Sequence, residues 1–200
     1  RNKQGIYLIK LYFPLRDRTK ERKFITNCNV LEGLPNLELD NYDYIIITKS
    51  SKDRLSLGNH LVNHTFYGGD RKALTIGVVN LPSENYRLKA NEYDWLKNHL
   101  ADDGMIVSLL DFDRTGRDGA DYLLSTYNIP YLFITRGEFG LENYGCKDFA
   151  DLHDKYSNDE DNDCWQGKIH DKIHKTQANS GTNHDVWRIT YQSSSTTDVR

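Results

Sequence analysis

The chain has 200 residues, of which 28% are charged, and its formal net charge is −3. A chain of this length buries about 70% of its unfolded surface without needing cross-links. Three widely spaced cysteines argue against a disulfide framework or a thiolate zinc site and favour a reducing compartment. Neither an apolar run of about 18 residues nor a signal peptide is visible, so no membrane partner is expected.

The hydrophobic pattern predicts strands and helices that alternate along the chain. A strand pair over residues 5–13 and 23–27 opens it, with a turn in between. Further strands are predicted at 43–48, 73–79, 105–110 and 131–135, and helices at 51–63, 83–100 and 116–127. This order favours an α/β fold, in which a largely parallel sheet with flanking helices follows a small N-terminal β-hairpin subdomain.

Three segments differ in composition. Residues 1–40 form a basic, β-rich subdomain, residues 41–156 carry the strand and helix alternation, and residues 157–200 are predicted to be a partly flexible C-terminal extension, because the pattern weakens there. The chain begins at Arg1 and not at a methionine, which favours a fragment of a longer protein.

Two carboxylates follow the predicted strand at 105–110. Alternate residues of a strand point the same way, so Asp111 and Asp113 could converge on one Mg²⁺ ion, and Gly116 lets other groups approach. The alternative is a simple turn and helix cap, for which Asp and Gly are also common.

Two other predicted strands lead into charged loops. The strand at 43–48 precedes Lys49 and Asp53, and the strand at 131–135 leads through a glycine-containing loop to Asp148 and Asp151. Because ligands bind beyond the strand tips of open α/β sheets, this second acidic cluster strengthens the prediction of a metal site.

The first segment is rich in basic and aromatic residues. Such an arm could track single-stranded nucleic acid, with cations on phosphates and aromatic rings on bases. The alternative is a solvated hairpin whose aromatic side chains face the core. The residues expected to bind nucleic acid are Arg16, Arg18, Arg22 and Lys23.

Taken in order, the strand and loop with Asp53, the run Asp111-x-Asp113-x-x-Gly116 and the run Lys147-Asp148-x-x-Asp151 resemble the Toprim domain. This metal-dependent fold is shared by bacterial and phage primases, topoisomerases and some nucleases. The sequence Asp-Phe-Asp-Arg-Thr-Gly-Arg over 111–117 is similar to the primase version. The sequence Leu-Tyr-Phe-Pro-Leu-Arg-Asp over 11–17 resembles the hairpin before Toprim in DnaG-type primases. The resemblance covers roughly residues 5–156.

The chain departs from the Toprim pattern at two places. Toprim domains carry a glutamate four residues before the Asp of the first loop, where this chain has Lys49. A possible metal ligand or general acid/base is thus missing, and Lys49, expected as an exposed loop charge, could contact a phosphate instead. The spacing Asp148-x-x-Asp151 is similar to that of phage primases and primase-helicases, which favours a phage-type enzyme.

The resemblance implies a DNA primase, which makes RNA primers on a single-stranded DNA template by nucleotidyl transfer with Mg²⁺ or Mn²⁺. It implies ribonucleoside triphosphates as substrates, a replicative helicase in cis or in trans as partner, and the cytoplasm of a bacterial or phage-infected cell. The implied metal ligands are Asp53, Asp111, Asp113, Asp148 and Asp151. The implied catalytic residues are Asp53, Asp111, Asp113 and Lys49, and the triphosphate would lie against Arg114 and Arg117.

Two alternatives stay open. The loss of the glutamate is compatible with a degenerate Toprim domain that binds nucleic acid or a replication partner without catalysis. The chain could also be a fragment of a Toprim nuclease or topoisomerase, although a topoisomerase needs a tyrosine nucleophile from a separate domain.

Overall fold

The computed structural model describes residues 9–13, 15–17, 19, 21, 24–37, 41–63, 74–83, 86–132 and 145–157. Within them lie two sheets and four α-helices. The strands are β1 (Lys10–Tyr12), β2 (Phe24–Thr26), β3 (Tyr42–Thr48), β4 (Ile76–Asn80) and β5 (Leu100–Leu109). The helices are α1 (Ser51–Asn63), α2 (Ala90–Lys97), α3 (Arg114–Tyr127) and α4 (Phe149–Ser157). The predicted α/β class with a small hairpin is confirmed, and its Toprim-like character stays a prediction.

Strand β3 is the centre of a three-stranded parallel sheet with the order β4-β3-β5. Its run of three isoleucines is buried on both faces, as expected for the central strand of a parallel sheet. On one face, Ile45 and Ile47 join a core with Leu96 of α2 and Leu123 of α3. On the other face, a second core contains side chains from β3, α1 and α4, namely Tyr44, Ile46, Leu57 and Phe149. The parallel connections place the carboxyl ends of β3 and β5 at the same edge.

The antiparallel hairpin of β1 and β2 pairs Leu11 with Ile25. Lys10 connects it to the rest of the chain, because its Nζ lies 3.0 Å from a carboxylate oxygen of Glu32. Glu32 also accepts hydrogen bonds from the Ser51 hydroxyl at 2.7 Å and from the Asn80 amide at 3.0 Å. Burial raises the pKa of Glu32, but these hydrogen bonds outweigh it and lower the pKa overall. The predicted boundary at residue 40 stays a prediction.

The predicted helix at 83–100 is wrong at both ends. Helix α2 begins only at Ala90, and Leu100 already belongs to β5. The buried carboxylate of Glu92 explains the late start, because it accepts hydrogen bonds from the backbone N–H groups of Lys89 and Leu31. These bonds hold Lys89 in an extended conformation, and Lys89 is the residue that caps the helix.

The other predicted elements differ less from the structure. Helix 51–63 is confirmed, and the helix predicted at 116–127 begins two residues earlier. The strand predicted at 105–110 begins five residues earlier and ends one residue earlier as β5, and the strand predicted at 73–79 begins only at Ile76 as β4. Of the strand predicted at 131–135, Tyr131 forms an isolated parallel bridge to Ser108, and residues 133–135 lie outside the described part of the chain. No helix in the described part of the chain combines the length and apolarity that crossing a bilayer requires.

Tyr44 carries a polar group into the core without a described partner. Its hydroxyl is buried and makes no hydrogen bond to the described residues. We expect Tyr44→Phe to raise the free energy of unfolding by about 1 kcal/mol, because an unpaired hydroxyl is costly to desolvate. Burial raises the pKa of Tyr44 to about 12, so the parent should also lose stability from about pH 10 to about pH 12, where the unfolded tyrosine ionises first.

Chemical unfolding of both proteins across this alkaline range measures the two effects. Tyr93→Phe is the matched control, because the Tyr93 hydroxyl donates to the Tyr127 carbonyl at 3.1 Å and its removal should lower stability. Equal losses in the two variants would show that the Tyr44 hydroxyl has a partner after all.

Candidate metal centre

Three carboxylates meet at the carboxyl edge of the sheet. Asp53, Asp111 and Asp148 each offer an oxygen atom, and these atoms all lie within 4.8 Å of one another. Each comes from a different part of the fold: Asp53 from the first turn of α1, Asp111 from the loop after β5, and Asp148 from the residue before α4. We call these three residues the acidic trio.

The Asp53 side chain is only 2% exposed and is fixed by two hydrogen bonds. Its Oδ2 atom accepts from the Ser50 hydroxyl at 2.6 Å, and its Oδ1 atom accepts from the backbone N–H of Ala150 at 3.1 Å. Because Ala150 lies in α4, Asp53 also joins α1 to α4.

Asp148 is held by the helix that follows it and by a lysine. Its Oδ1 atom accepts from the backbone N–H of Asp151 at 2.8 Å, as an N-terminal helix cap does. Its Oδ2 atom accepts from Lys52 Nζ at 2.9 Å, and the same ammonium group lies 2.7 Å from Asp151 Oδ1. Lys52 thus bridges both carboxylates. Burial raises the pKa of Asp151, but the hydrogen bond from Lys52 outweighs it and lowers the pKa overall.

Asp111 faces a buried lysine. Lys49 Nζ lies 3.4 Å from Asp111 Oδ2, and Lys49 is only 7% exposed. The expectation of an exposed loop charge at Lys49 is therefore wrong, because the pairing with Asp111 draws the lysine into the edge of the sheet. The Lys49 ammonium lies against a carboxylate of the trio, where the Toprim pattern has a glutamate.

The loop that carries Asp111 is set by two close contacts. A Cβ atom added at Gly116 would lie 2.0 Å from the Asp111 carbonyl oxygen, so only glycine allows α3 to start so near the loop. On the other side, the backbone N–H of Phe112 donates to the Lys147 carbonyl, which places Asp148 beside the loop.

The structure does not bring Asp113 or Asp151 into the trio. Asp113 is exposed and caps α3, its carboxylate accepting from the backbone N–H of Gly116 at 2.8 Å. For Asp113, the structure therefore agrees with the alternative interpretation of this loop as a turn and helix cap. Asp151 is paired with Lys52.

The predicted basic residues are placed only in part. Arg114 is exposed at the first position of α3, and Arg117 is half-buried one turn later. In the hairpin, the Arg16 guanidinium lies 3.7 Å from the centre of the Phe13 ring, and Tyr12 is exposed and does not face the core. Arg18, Arg22 and Lys23 lie outside the described residues.

The chemistry of the trio fits a hard divalent cation, since carboxylate oxygens are the ligands that Mg²⁺ and Mn²⁺ prefer. Burial raises the pKa of Asp53 despite its hydrogen bond from Ser50. Burial also raises the pKa of Asp111, Lys49 opposes this, and the charges of Asp53, Asp113 and Asp148 add to the rise. The three carboxylates lie close enough to bind a metal ion. A bound cation would relieve the repulsion between their charges.

The raised pKa values predict how stability depends on pH without a divalent cation. The folded protein holds protons on Asp53 and Asp111 at pH values where the unfolded chain has released them. Stability from these groups is thus present at low pH and is lost as the pH rises through the folded pKa values. We expect urea unfolding between about pH 4 and about pH 7 to show Asp111→Asn gaining stability relative to the parent as the pH rises. A constant difference would mean that Asp111 is not held at a raised pKa.

Sequence reasoning missed several side chains around the trio. Lys52 and Ser50 support the carboxylates directly. Glu32 and Asn80 attach the preceding segment to the start of α1. None of the four belongs to a recognisable motif, and Lys52 meets Asp148 across 96 residues of sequence. Only the fold brings them together.

No family model, curated protein or solved structure matches this chain.

Proposed function

We propose that this chain is the catalytic core of a phage-type DNA primase, which synthesises RNA primers on single-stranded DNA with Mg²⁺ or Mn²⁺. The observation that carries the proposal is the acidic trio. Its three carboxylates converge at the carboxyl edge of a parallel sheet, where open α/β folds place their ligands. The choice of nucleotidyl transfer as the reaction rests on the resemblance of the surrounding motifs to Toprim primases.

In this proposal Asp53, Asp111 and Asp148 hold the cation, and Asp113 and Asp151 lie next to them. A bound divalent ion would neutralise phosphate charge and lower the pKa of an attacking hydroxyl. The protein itself contributes rigidity. Asp53 is fixed by Ser50 and Ala150, so its carboxylate is oriented before any ligand arrives.

The substrates would be ribonucleoside triphosphates and a single-stranded DNA template, with Arg114, Arg117 and the basic arm around Arg16 as contacts. Arg114 and Arg117 support this role because both lie on the first turns of α3, directly after the loop of Asp111. A replicative helicase in cis or in trans would deliver the template in a bacterial or phage-infected cell.

Primer synthesis from labelled ribonucleotides on a single-stranded template, with Mg²⁺ or Mn²⁺, tests the proposal. We expect short RNA products from the parent, and a loss of at least about 100-fold in Asp53→Asn, because its carboxylate is a ligand and not an outer contact. Asp94→Asn, on the exposed side of α2, is the control and should retain the activity. Products that form equally in Asp53→Asn would contradict the assignment.

A second candidate function is a Toprim-like domain that binds nucleic acid or a replication partner without catalysis. The pairing of Lys49 with Asp111 favours it, since an ammonium group already neutralises part of the trio. Single-stranded DNA binding without divalent-cation binding and without primer synthesis would support this candidate. Nicking of the DNA would instead indicate the nuclease or topoisomerase alternative.

A further inference from the structure

A cleft opens beside the acidic trio, on the side of the sheet covered by α2 and α3. It is shallow and open to solvent. Its wall includes Lys49, Tyr86, Arg87, Thr115 and Tyr122, together with leucine side chains and Gly119. Lys49 belongs both to this wall and to the ion pair with Asp111, so the cleft and the trio share one side chain.

The charge of the cleft favours an anion. Lys49 and Arg87 are cationic, and no carboxylate stands among the described residues that line the wall. The Thr115 hydroxyl adds a hydrogen-bond donor at the second position of α3, where the helix dipole also favours negative charge. The cleft thus differs in sign from the trio, which has three carboxylates.

Arg87 is held in place at the cleft. Its guanidinium lies 4.5 Å from the centre of the Tyr122 ring, so a cation–π contact orients it before a ligand arrives. A planar guanidinium presents two parallel N–H groups to phosphate oxygens, whereas the Lys49 ammonium acts as a point charge. Together they suit a phosphate group.

We infer that this cleft binds a phosphate group of a nucleotide through Arg87 and Lys49, directly beside the acidic trio. The choice of a nucleotide rests on the proposed function, while the choice of an anion rests on the wall of the cleft. The phosphate could come from a nucleoside triphosphate or from the backbone of a single strand.

The shared Lys49 makes the two sites interdependent. In the ion pair its charge is directed to Asp111, 3.4 Å away, and is only partly available to a phosphate. Anything that neutralises Asp111 should therefore strengthen phosphate binding in the cleft, because Lys49 then has one partner fewer. By linkage, a phosphate in the cleft should weaken the hold of Lys49 on Asp111 by the same factor.

Binding of a fluorescent N-methylanthraniloyl ATP in the presence of EDTA tests the cleft without any divalent cation. We expect Arg87→Ala to weaken binding about tenfold, as for the loss of one charge-assisted hydrogen bond. Lys97→Ala is the matched control, because Lys97 lies near a tyrosine ring, that of Tyr93, outside the cleft. Arg87 and Lys97 are both exposed, so both variants should fold.

The same titration of Asp111→Asn tests the shared lysine. We expect this variant to bind the ATP probe about fivefold more tightly than the parent, since Lys49 no longer faces a charged carboxylate. Primer synthesis would be lost in the same variant if the proposed function is right. If Asp111→Asn binds the probe more tightly but the parent makes no primers, the phosphate site in the cleft is supported and the proposed primase function is contradicted.

Competition identifies the source of the phosphate. Displacement of the probe by ATP assigns the cleft to a nucleoside triphosphate, and displacement by single-stranded oligothymidylate assigns it to a strand backbone. Adenosine, which has no phosphate, should not displace the probe. Equal probe affinities in Arg87→Ala, Lys97→Ala and the parent, or displacement by adenosine as strong as that by ATP, would overturn the inference.

Discussion

Asp111→Asn should weaken Mn²⁺ binding by more than about 100-fold, because loss of a carboxylate ligand costs more than the 10–100-fold that outer contacts typically cost. The same variant should lose the rise in melting temperature that Mn²⁺ gives the parent by binding the folded state. Asparagine keeps the size of the side chain, removes its charge and replaces one carboxylate oxygen with an NH₂ group. Electron paramagnetic resonance of free Mn²⁺ measures the affinity, and thermal unfolding measures the stabilisation.

Asp113→Asn is the matched control, two residues away in the same loop. Its carboxylate is exposed and caps α3, and asparagine caps a helix as well as aspartate does. We expect Mn²⁺ binding close to that of the parent. If Asp113→Asn loses the ion and Asp111→Asn keeps it, the ion is bound on the solvent side of the loop and the acidic trio is not the site.

Lys49→Met should destabilise the protein by about 3 kcal/mol at neutral pH without divalent cations. Removing one partner of a buried ion pair leaves the other charge uncompensated, and the side chains of Lys49 and Asp111 are only 7% and 17% exposed. Methionine retains the apolar stem, so most of the loss is electrostatic. Mn²⁺ at about a hundredfold excess over its Kd should return about 2.7 kcal/mol, because it binds only the folded state.

Urea unfolding with EDTA and with Mn²⁺ measures both parts of this result. Lys97→Met, at the exposed end of α2, should change stability by less than about 1 kcal/mol in either medium. A Lys49→Met protein as stable as the parent in EDTA would show that Asp111 needs no cation. A loss that Mn²⁺ does not reverse would show that the folded variant does not bind the ion.

The sequence allowed the central strand and the positions of the trio to be predicted for a simple reason. A continuous apolar run such as that of β3 has few alternatives to a buried strand, and aspartates that follow strand tips in a parallel fold meet at one edge. The sequence could not separate Asp111 from Asp113, because a metal ligand and a helix cap use the same residue type in the same loop.

The burial of Lys49 and the start of α2 both depend on tertiary contacts, which local sequence patterns do not reveal. The burial of Lys49 depends on Asp111, which lies in the loop after β5, and no local signal in the sequence links the two residues. The sequence predicts a helix start at residue 83 because Ser83 follows a proline, a pattern typical of a helix cap. The structure instead uses Glu92, whose carboxylate reaches back to Leu31 and Lys89, a tertiary contact that overrides the local preference.

One member of the trio, Asp148, directly precedes α4, so the trio forms only when this helix packs in place. Asp148 reaches the other two carboxylates only while α4 lies on α1, held by Lys52 and by the Asp53 bond to Ala150. Detachment of this helix would dismantle the site without altering the sheet. Binding of a cation to the trio would therefore be coupled to helix docking, and the bound cation would act as a removable cross-link between α1, α4 and the loop after β5.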